Sequence, residues 1–317
     1  MATTFDPITE NSDGTPYDGS ADVRFGACTV LTGVDLGRYP HGNSVYVQGR
    51  EQSLLLDPSL SLAARPPGAL PGPVDQIFVS HAHEDHVAAN HLFPDSPVHV
   101  HGEDLLGVQS VDGMLEVYGF DDPAVAEDFR TTVLEEFFFD PRPDAVAVDG
   151  GHRFDLGGVT VEVVHLPGHT RGHCGALIGR DGVAYLGDVD LTGFGPYYGD
   201  AWSSLDDFRA TLELCRDLEA TTFVTFHHKH VVEGRERFLR MLADFTDVIA
   251  RRDDELLAFL AEPRTLDDIV EHRFVYRPHV DNPSVPSIER RSMSQHLVTL
   301  VAEGRAAESE PGRWRAT

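Results

Sequence analysis

The sequence predicts a mixed α/β fold, and three observations predict it. Four apolar runs end at or just before a residue able to hold a metal, after Ser80, Pro167, Leu186 and Phe226. Segments of helical spacing lie between and beyond these runs. Hydrophobic residues make up 41% of a chain of 317, enough for a proper core.

Taken in order, residues 45–57 read as two strands joined in a hairpin around Gln48 and Gly49. A Pro/Gly-rich loop, 65–73, precedes a buried strand over 76–80 that runs into His81-Ala-His-Glu-Asp-His86. A short strand follows over 96–100, then an acidic helix over 121–139 beside the site, with Phe137–Phe139 assigned to the core. Residues 159–166 alternate as a strand and lead into Pro167-Gly-His-Thr-Arg-Gly-His173. A hairpin turning at Arg180-Asp-Gly182 carries the chain to Gly187-Asp188. A helix over 203–218 is followed by a strand over 222–226, which ends at His227-His228. Strands of one sheet system place such residues along a common edge, where ligands of α/β folds gather.

After Glu233 the composition changes. A long helix over 235–261 carries Phe238, Leu239, Leu242, Phe245, Val248 and Ile249 as an apolar stripe that must be buried. Thr265 is expected to cap a helix over 266–272, with Asp268 in its first turn. Ser287 is expected to cap a last helix with Ile288, Leu297, Leu300 and Val301 on its apolar side, and a polar hairpin turns at Glu310-Pro-Gly312. Three helices and a hairpin make a winged-helix-like pattern, which divides the chain into 1–245 and 246–317. The stripe's partner is the larger domain, the tail's own core or a second subunit, which would make the protein a homodimer.

Charge narrows the partners. Acidic residues number 52 against 25 basic ones, net −27, and Lys229 is the single lysine. Such a surface suits a high-salt cytoplasm or a genome that favours arginine; both readings stay open. It repels phosphate backbones and anionic membranes, which argues against general nucleic-acid binding. No run approaches the roughly 18 apolar residues of a membrane span. Residues 1–26 lack the basic and apolar regions of a secretory signal. Cys28, Cys174 and Cys215 show no CxxC pairing, so a cytoplasmic location is expected.

His81-x-His83-x-Asp85-His86 packs three imidazoles and a carboxylate into six residues at a strand-to-helix turn. Such ligands suit zinc, iron and manganese. Residues i and i+2 can grip one ion while i+4 and i+5 turn towards a second.

This segment resembles the HxHxDH signature of the metallo-β-lactamase superfamily. His169 in Pro-Gly-His-Thr, Asp188 in Leu-Gly-Asp and the histidine after 222–226 match that superfamily's remaining motifs in order, over residues 25–235. The resemblance implies a four-layer αββα sandwich with the site at one edge. The tail resembles that of a subgroup with thioester-, lactone- and RNA-cleaving members. By the same resemblance, His81, His83 and His169 would hold a first metal, and Asp85, His86 and His227 a second, with Asp188 bridging. Two Zn2+ ions per chain are implied, with iron or manganese as substitutes. His228 and His230 rival His227 for the last position. The chain departs from the family at Val87-Ala88-Ala89, where two glycines often follow the motif. Asp57-Pro58 matches an early acidic position, usually structural, without its usual following glycine.

Two divalent ions lower the pKa of a bridging water from about 15.7 towards 7. The expected activity is therefore a dinuclear hydrolase in which a metal-bridging hydroxide attacks a small ester, thioester or lactone, with Asp85 shuttling the proton. Two alternatives remain. One is a mononuclear iron persulfide dioxygenase, which resembles this chain in the HxHxDH and Gly-His-Thr-x-Gly-His segments. The other is an RNA-cleaving metallohydrolase, whose phosphate contacts could come from Arg273, Arg290, Arg291, Arg313 and Arg315. No basic cluster near 193–200 matches the glutathione site of glyoxalase-type relatives.

Other residues keep two readings each. His173 is a partner of the ligands or of substrate, or it is structural. Tyr197 and Tyr198 are hydrogen-bond donors to a developing oxyanion, or they pack at a loop rim. His41 and Asn43 are placed near the rim, and His99 and His101 on a surface strand face. Cys174 and Cys215 are expected to be buried thiols.

Overall fold

A computed structural model describes residues 8–66, 68–179 and 182–317. Residues 1–7, Pro67 of the Pro/Gly-rich loop, and Arg180 and Asp181 of the expected turn lie outside the described residues. The first sheet has seven strands in spatial order of sequence: β1 (Val23–Phe25), β2 (Cys28–Leu31), β3 (Ser44–Gln48), β4 (Ser53–Leu56), β5 (Gln76–Val79), β6 (Val98–His101) and β7 (Val146–Val148). It is antiparallel from β1 to β4 and parallel from β4 to β7. The second sheet holds β8 (Arg153–Asp155), β9 (Thr160–His165), β10 (Cys174–Ile178), β11 (Val183–Tyr185), β12 (Thr222–Val224) and β13 (Val231–Glu233), in spatial order β13-β12-β11-β10-β9-β8.

Side-chain alternation explains how the sheets stack. In β3, β4 and β5, Val45, Val47, Leu54, Leu56 and Phe78 point into a core shared with Val161, Val163, Ala176, Ile178 and Val224 of the second sheet. Their neighbours Tyr46, Leu55, Ile77 and Val79 point the other way, onto helices that carry Val108, Met114, Val117 and Val133. Apolar residues on both faces are what a strand covered on both sides requires. The outer face of the second sheet packs Ala184, Phe223 and Val232 against Phe208 and Leu212 of helix Leu205–Asp217 and Phe238 and Leu242 of helix Arg235–Phe259. Helix, sheet, sheet, helix: the αββα sandwich is the observed architecture.

Local side chains cap several helices, two of them at positions the sequence reading did not single out. Ser204 caps helix Leu205–Asp217 and Asp122 caps helix Pro123–Glu135 through side-chain bonds to backbone N–H groups. Thr265 and Asp268 form a reciprocal capping box at helix Leu266–His272. Strands β1 and β2, and helices Leu105–Gln109 and Val111–Tyr118, go beyond what the residues predict; each is short, and Gly113 breaks the apolar pattern of the last.

Two expectations for the tail need correction. The last helix runs Val285–Ala302, after Ser284, with a proline in its first turn, so Ser287 lies inside the helix and does not cap it. Val301 is 41% exposed and lies off the buried face, where Met293 joins the expected Ile288, Leu297 and Leu300. The helix Arg235–Phe259 is continuous through residue 246. Its last turns contribute Leu256 to a separate cluster with Leu260, Ile269, Met293, Leu300 and Ala306, closed by β14 (Ala306–Glu310) and β15 (Arg313–Ala316). No helix among the described residues is long and apolar enough to cross a membrane.

Candidate metal centre

The strand ends deliver the site. β5 ends at Val79, and the chain passes through His81 and His83 into the short buried helix Glu84–Val87, which carries Asp85 and His86. Ala88 and Ala89, which stand where glycines are usual, are fully buried. The loop after β9 brings His169. Gly168 ahead of it has φ 125°, and a Cβ there would sit 2.3 Å from Phe208 N, so only glycine fits. The turn after β11 brings Asp188, and the end of β12 brings His227.

These side chains form two donor groups, His81, His83, His169 and Asp188 in one, Asp85, His86 and His227 in the other. In the first, His81 Nε2 lies 3.0 Å from His83 Nδ1, and His169 Nε2 lies 3.1 Å from both. Asp188 joins the groups: its Oδ2 is 3.2 Å from His169 Nε2 and its Oδ1 is 3.1 Å from His86 Nε2. In the second group His227 Nε2 is 3.0 Å from Asp85 Oδ2. His228 stays outside: it is exposed, with φ 58°, and His230 turns to Thr32 Oγ1 at 2.9 Å.

The donor chemistry fits a metal. His169 Nδ1 donates to the Tyr197 carbonyl at 3.1 Å, so its Nε2 presents a lone pair to two other imidazole nitrogens. Three converging lone pairs cannot satisfy one another and call for a cation. Buried His86 Nε2, Asp85 Oδ2 and Asp188 Oδ1 approach one another or His227 within 3.0–3.1 Å but make no well-aligned hydrogen bond either. Each imidazole is also oriented from behind, as metal-ligating histidines are. His81 Nδ1 meets Ser80 Oγ at 3.0 Å, and His83 Nε2 lies 3.1 Å from Asp200 Oδ2. His86 Nδ1 donates to Asp57 Oδ2 at 2.8 Å, and His227 Nδ1 to the carbonyls of Gly37 and His41 at 2.9 and 3.0 Å.

The other singled-out residues now have places. His173 is buried; its Nδ1 donates to Leu166 O at 2.8 Å, so its Nε2 accepts from the Asp188 N–H at 3.0 Å. Burial and the neighbouring His169 push its pKa down to about 3, which keeps it neutral and able to accept. Tyr197 lines the cavity, with its hydroxyl donated to Asp200 Oδ1 at 2.8 Å. Tyr198 is not at the site: its buried hydroxyl meets His296 Nε2 at 2.8 Å and Arg252 at 2.7 Å. Asn43 is a buried brace, donating to Phe226 O at 2.9 Å. His101, expected on a surface strand face, is buried and stacks on His165 at 4.1 Å, and the cysteines are buried.

Sequence reasoning missed several residues. Asp104 ties the two ligand loops together, accepting from Ala82 N at 3.0 Å, Thr170 Oγ1 at 2.6 Å and Gly172 N at 2.7 Å. Asp57, expected to be structural, accepts from Ser80 N, Ser80 Oγ and Tyr185 as well as His86. Asp190 lines the cavity, and burial together with Asp188 raises its pKa to about 8. Glu84 accepts from Tyr39 at 3.1 Å and from Tyr118, whose ring stacks on His83 at 4.7 Å.

The donors open on a cavity of about 560 Å³. Tyr39, Tyr118, Phe129 and Phe194 line it, as do Tyr276, Ile288 and Arg291 from the C-terminal part. That part also grips the loop behind the ligands. Buried Arg252 donates to the carbonyls of Phe194 and Pro196 at 2.8 Å, and Gln295 donates to Tyr198 O at 3.0 Å while accepting from Leu205 N at 2.6 Å.

Known proteins give the same picture. Residues 38–228 match the model of the metallo-β-lactamase superfamily. A metallo-β-lactamase family protein of Thermus thermophilus superposes with TM-score 0.65 at 22% identity, over 92% of this chain and 99% of that one. A β-lactamase domain protein of Burkholderia ambifaria gives 0.67 at 19% identity, over 96% of both chains. An uncharacterised Mycobacterium leprae protein is 32% identical over 120 residues, 37% of this chain and 48% of its own length, so the match spans about half of that relative. The strand-end histidines and aspartates thus sit in the fold that the family model describes across most of the chain, and the protein is a member of the metallo-β-lactamase superfamily, with a His/Asp cluster suited to divalent metal.

Proposed function

We propose that the chain is a dinuclear metal-dependent hydrolase of small esters, thioesters or lactones. The observation that carries this reading is the pair of complete donor groups joined by Asp188 at the base of one cavity. His81, His83, His169 and Asp188 would hold one ion, and Asp85, His86, His227 and Asp188 the other. Bound divalent metal supplies Lewis-acid polarisation and a water acidic enough to react near neutral pH.

The chain's own residues do the rest. Burial would raise the pKa of Asp85, but His86 and His227 beside it pull it below the ordinary value, so its carboxylate is ionised and able to take a proton. His173 holds the Asp188 backbone, and Asp104 fixes the two ligand loops to each other. Tyr39 and Tyr118 donate to Glu84, and the Tyr118 ring stacked on His83 forms the cavity wall beside the donors.

The second donor group supports two ions over the single iron of a dioxygenase. RNA cleavage is less well supported, because Arg290, Arg291 and Arg313 face Asp267, Asp121 and Asp268. Reconstituted protein should bind about two metal equivalents and lose activity with them on chelation. A stoichiometry fixed at one, with oxygen uptake on glutathione persulfide, overturns the reading in favour of the dioxygenase. Turnover of phosphodiesters but not of thioesters or lactones overturns the substrate assignment.

A further inference from the structure

The cavity narrows the substrate class, and this step rests on the hydrolase reading. An aromatic wall starts at the donors and leads away from them. Tyr118 stacks on His83 at 4.7 Å, Phe129 packs on Tyr118 at 4.6 Å, and Phe120 lies 5.0 Å from Phe129. A second wall is shared with the C-terminal part: Phe194 and Tyr276 pair at 5.6 Å, and Ile288 approaches so closely that a Cβ on Gly199 would sit 2.3 Å from its side chain. At the mouth, Tyr39 and Phe194 are 55% and 41% exposed, so both walls are open to an entering apolar group.

The charge of the lining points the same way. The cationic side chain among these residues, Arg291, already donates to Tyr118 O at 3.0 Å and Asp121 at 3.1 Å. Beyond the metal donors the cavity carries Glu84, Asp128 and Asp200, the Asp190 carboxyl that burial and Asp188 hold mostly neutral, and no lysine. A phosphate-bearing carrier such as coenzyme A would bring anions to carboxylates with no arginine or lysine free to receive them, His228 being the lining imidazole outside the donor groups. An uncharged acyl compound meets no such cost and fills the aromatic walls.

We infer that the substrate is an uncharged ester, lactone or thioester with an extended apolar or aryl acyl group. Its reacting carbonyl sits at the donors, and its acyl group lies between the Tyr118–Phe129–Phe120 wall and the Tyr276–Ile288 wall. Phe129 and Tyr276 are then specificity-determining residues, one from each part of the chain.

The metal-loaded enzyme tests this with matched compounds: the octanoyl and acetyl esters of one neutral alcohol, and the octanoyl thioesters of N-acetylcysteamine and coenzyme A. The octanoyl ester should exceed the acetyl ester in kcat/KM by at least about tenfold, and the neutral thioester should exceed the coenzyme A thioester. Phe129→Ala and Tyr276→Ala should each raise KM for the octanoyl ester by a larger factor than for the acetyl ester, with metal content as in the parent. Binding of a non-hydrolysable octanoyl amide, followed by calorimetry, should weaken in both variants. Preference for the coenzyme A thioester, equal use of acetyl and octanoyl esters, or unchanged amide binding in both variants overturns the inference. Absent hydrolysis with intact amide binding overturns the hydrolase reading and leaves the apolar acyl site standing.

Discussion

The two donor groups are oriented from different parts of the molecule. In the first group, His83 and His169 rest on Asp200 and the Tyr197 carbonyl, both on the loop that Arg252 and Gln295 hold from the C-terminal helices. In the second group, His86 rests on Asp57 at the end of β4, and His227 on the Gly37 and His41 carbonyls. The difference teaches that one centre has two supports, which meet where Asp57 also holds Ser80 behind His81. One ion's site should respond to the C-terminal part and the other to the first sheet.

The largest effect should come from the residue that belongs to both. Asp188→Ala removes the shared carboxylate, and metal binding at both groups should fail with a fall in kcat of about a thousandfold. Metal analysis after reconstitution checks it, and a variant that retains both ions breaks the reading of Asp188 as the link. Next in size, His227→Ala should leave about one ion per chain, because only the second group loses a ligand. His228→Ala, outside the donor groups, should leave stoichiometry at the parent level. The reverse result would move the ligand by one residue.

Carboxylates behind the ligands give a sharper contrast. Asp200→Asn should weaken the first ion by about 10–100-fold in chelator competition, and Asp57→Asn the second by a similar factor, with a smaller effect on the first through Ser80 and His81. Arg252→Met should act like a milder Asp200→Asn, by about tenfold on the first ion. It leaves the donors intact and loosens only the loop that positions them. Equal weakening of both ions by either variant would mean that the centre responds as a single unit.

Much of this was legible before the fold was seen, for a physical reason. Ligands at strand ends leave a local signature, an apolar run stopping at a histidine or aspartate, and each of the seven donors carries it or lies in the HxHxDH cluster. Helix caps are local too, as Thr265 and Asp268 show. Asp104 and Asp200 act over long sequence distances, Asp104 on Gly172 and Asp200 on His83, and in a chain with 52 acidic residues a single aspartate carries no signal. Tyr198 looked like Tyr197 in sequence; adjacent residues in an extended segment face opposite ways, so one lines the cavity and the other meets His296. The wall formed by Tyr276 and Ile288 depends on the docking of distant helices, which spacing along the chain does not encode.

The smallest expected effect separates the groups by protons. Burial alone would strip the charge from His227, but Asp188, Asp85 and Asp190 outweigh it and raise its pKa from 6.5 to about 10. His86 is likewise buried, yet held well above the ordinary value by Asp188, Asp85 and Asp57. In the first group His81 goes the other way, lowered by burial and the imidazoles around it, while His83 is raised, against its burial, by Asp200. A metal must displace any proton on its ligands. Filling the second group at neutral pH should therefore release about two protons and filling the first fewer, as counted by calorimetry in buffers of different ionisation enthalpy. The sign for stability follows. In metal-free protein the charged His227 stabilises fully below pH 6.5, its unfolded value, and that contribution is lost as pH rises through about 10. Loaded protein uses the neutral imidazole and is spared this loss. The Tm advantage of loaded over metal-free protein should then widen from neutral pH to about pH 10. Equal proton counts for the two ions, or an advantage that narrows, would remove the electrostatic distinction between the groups while leaving their separate supports in place.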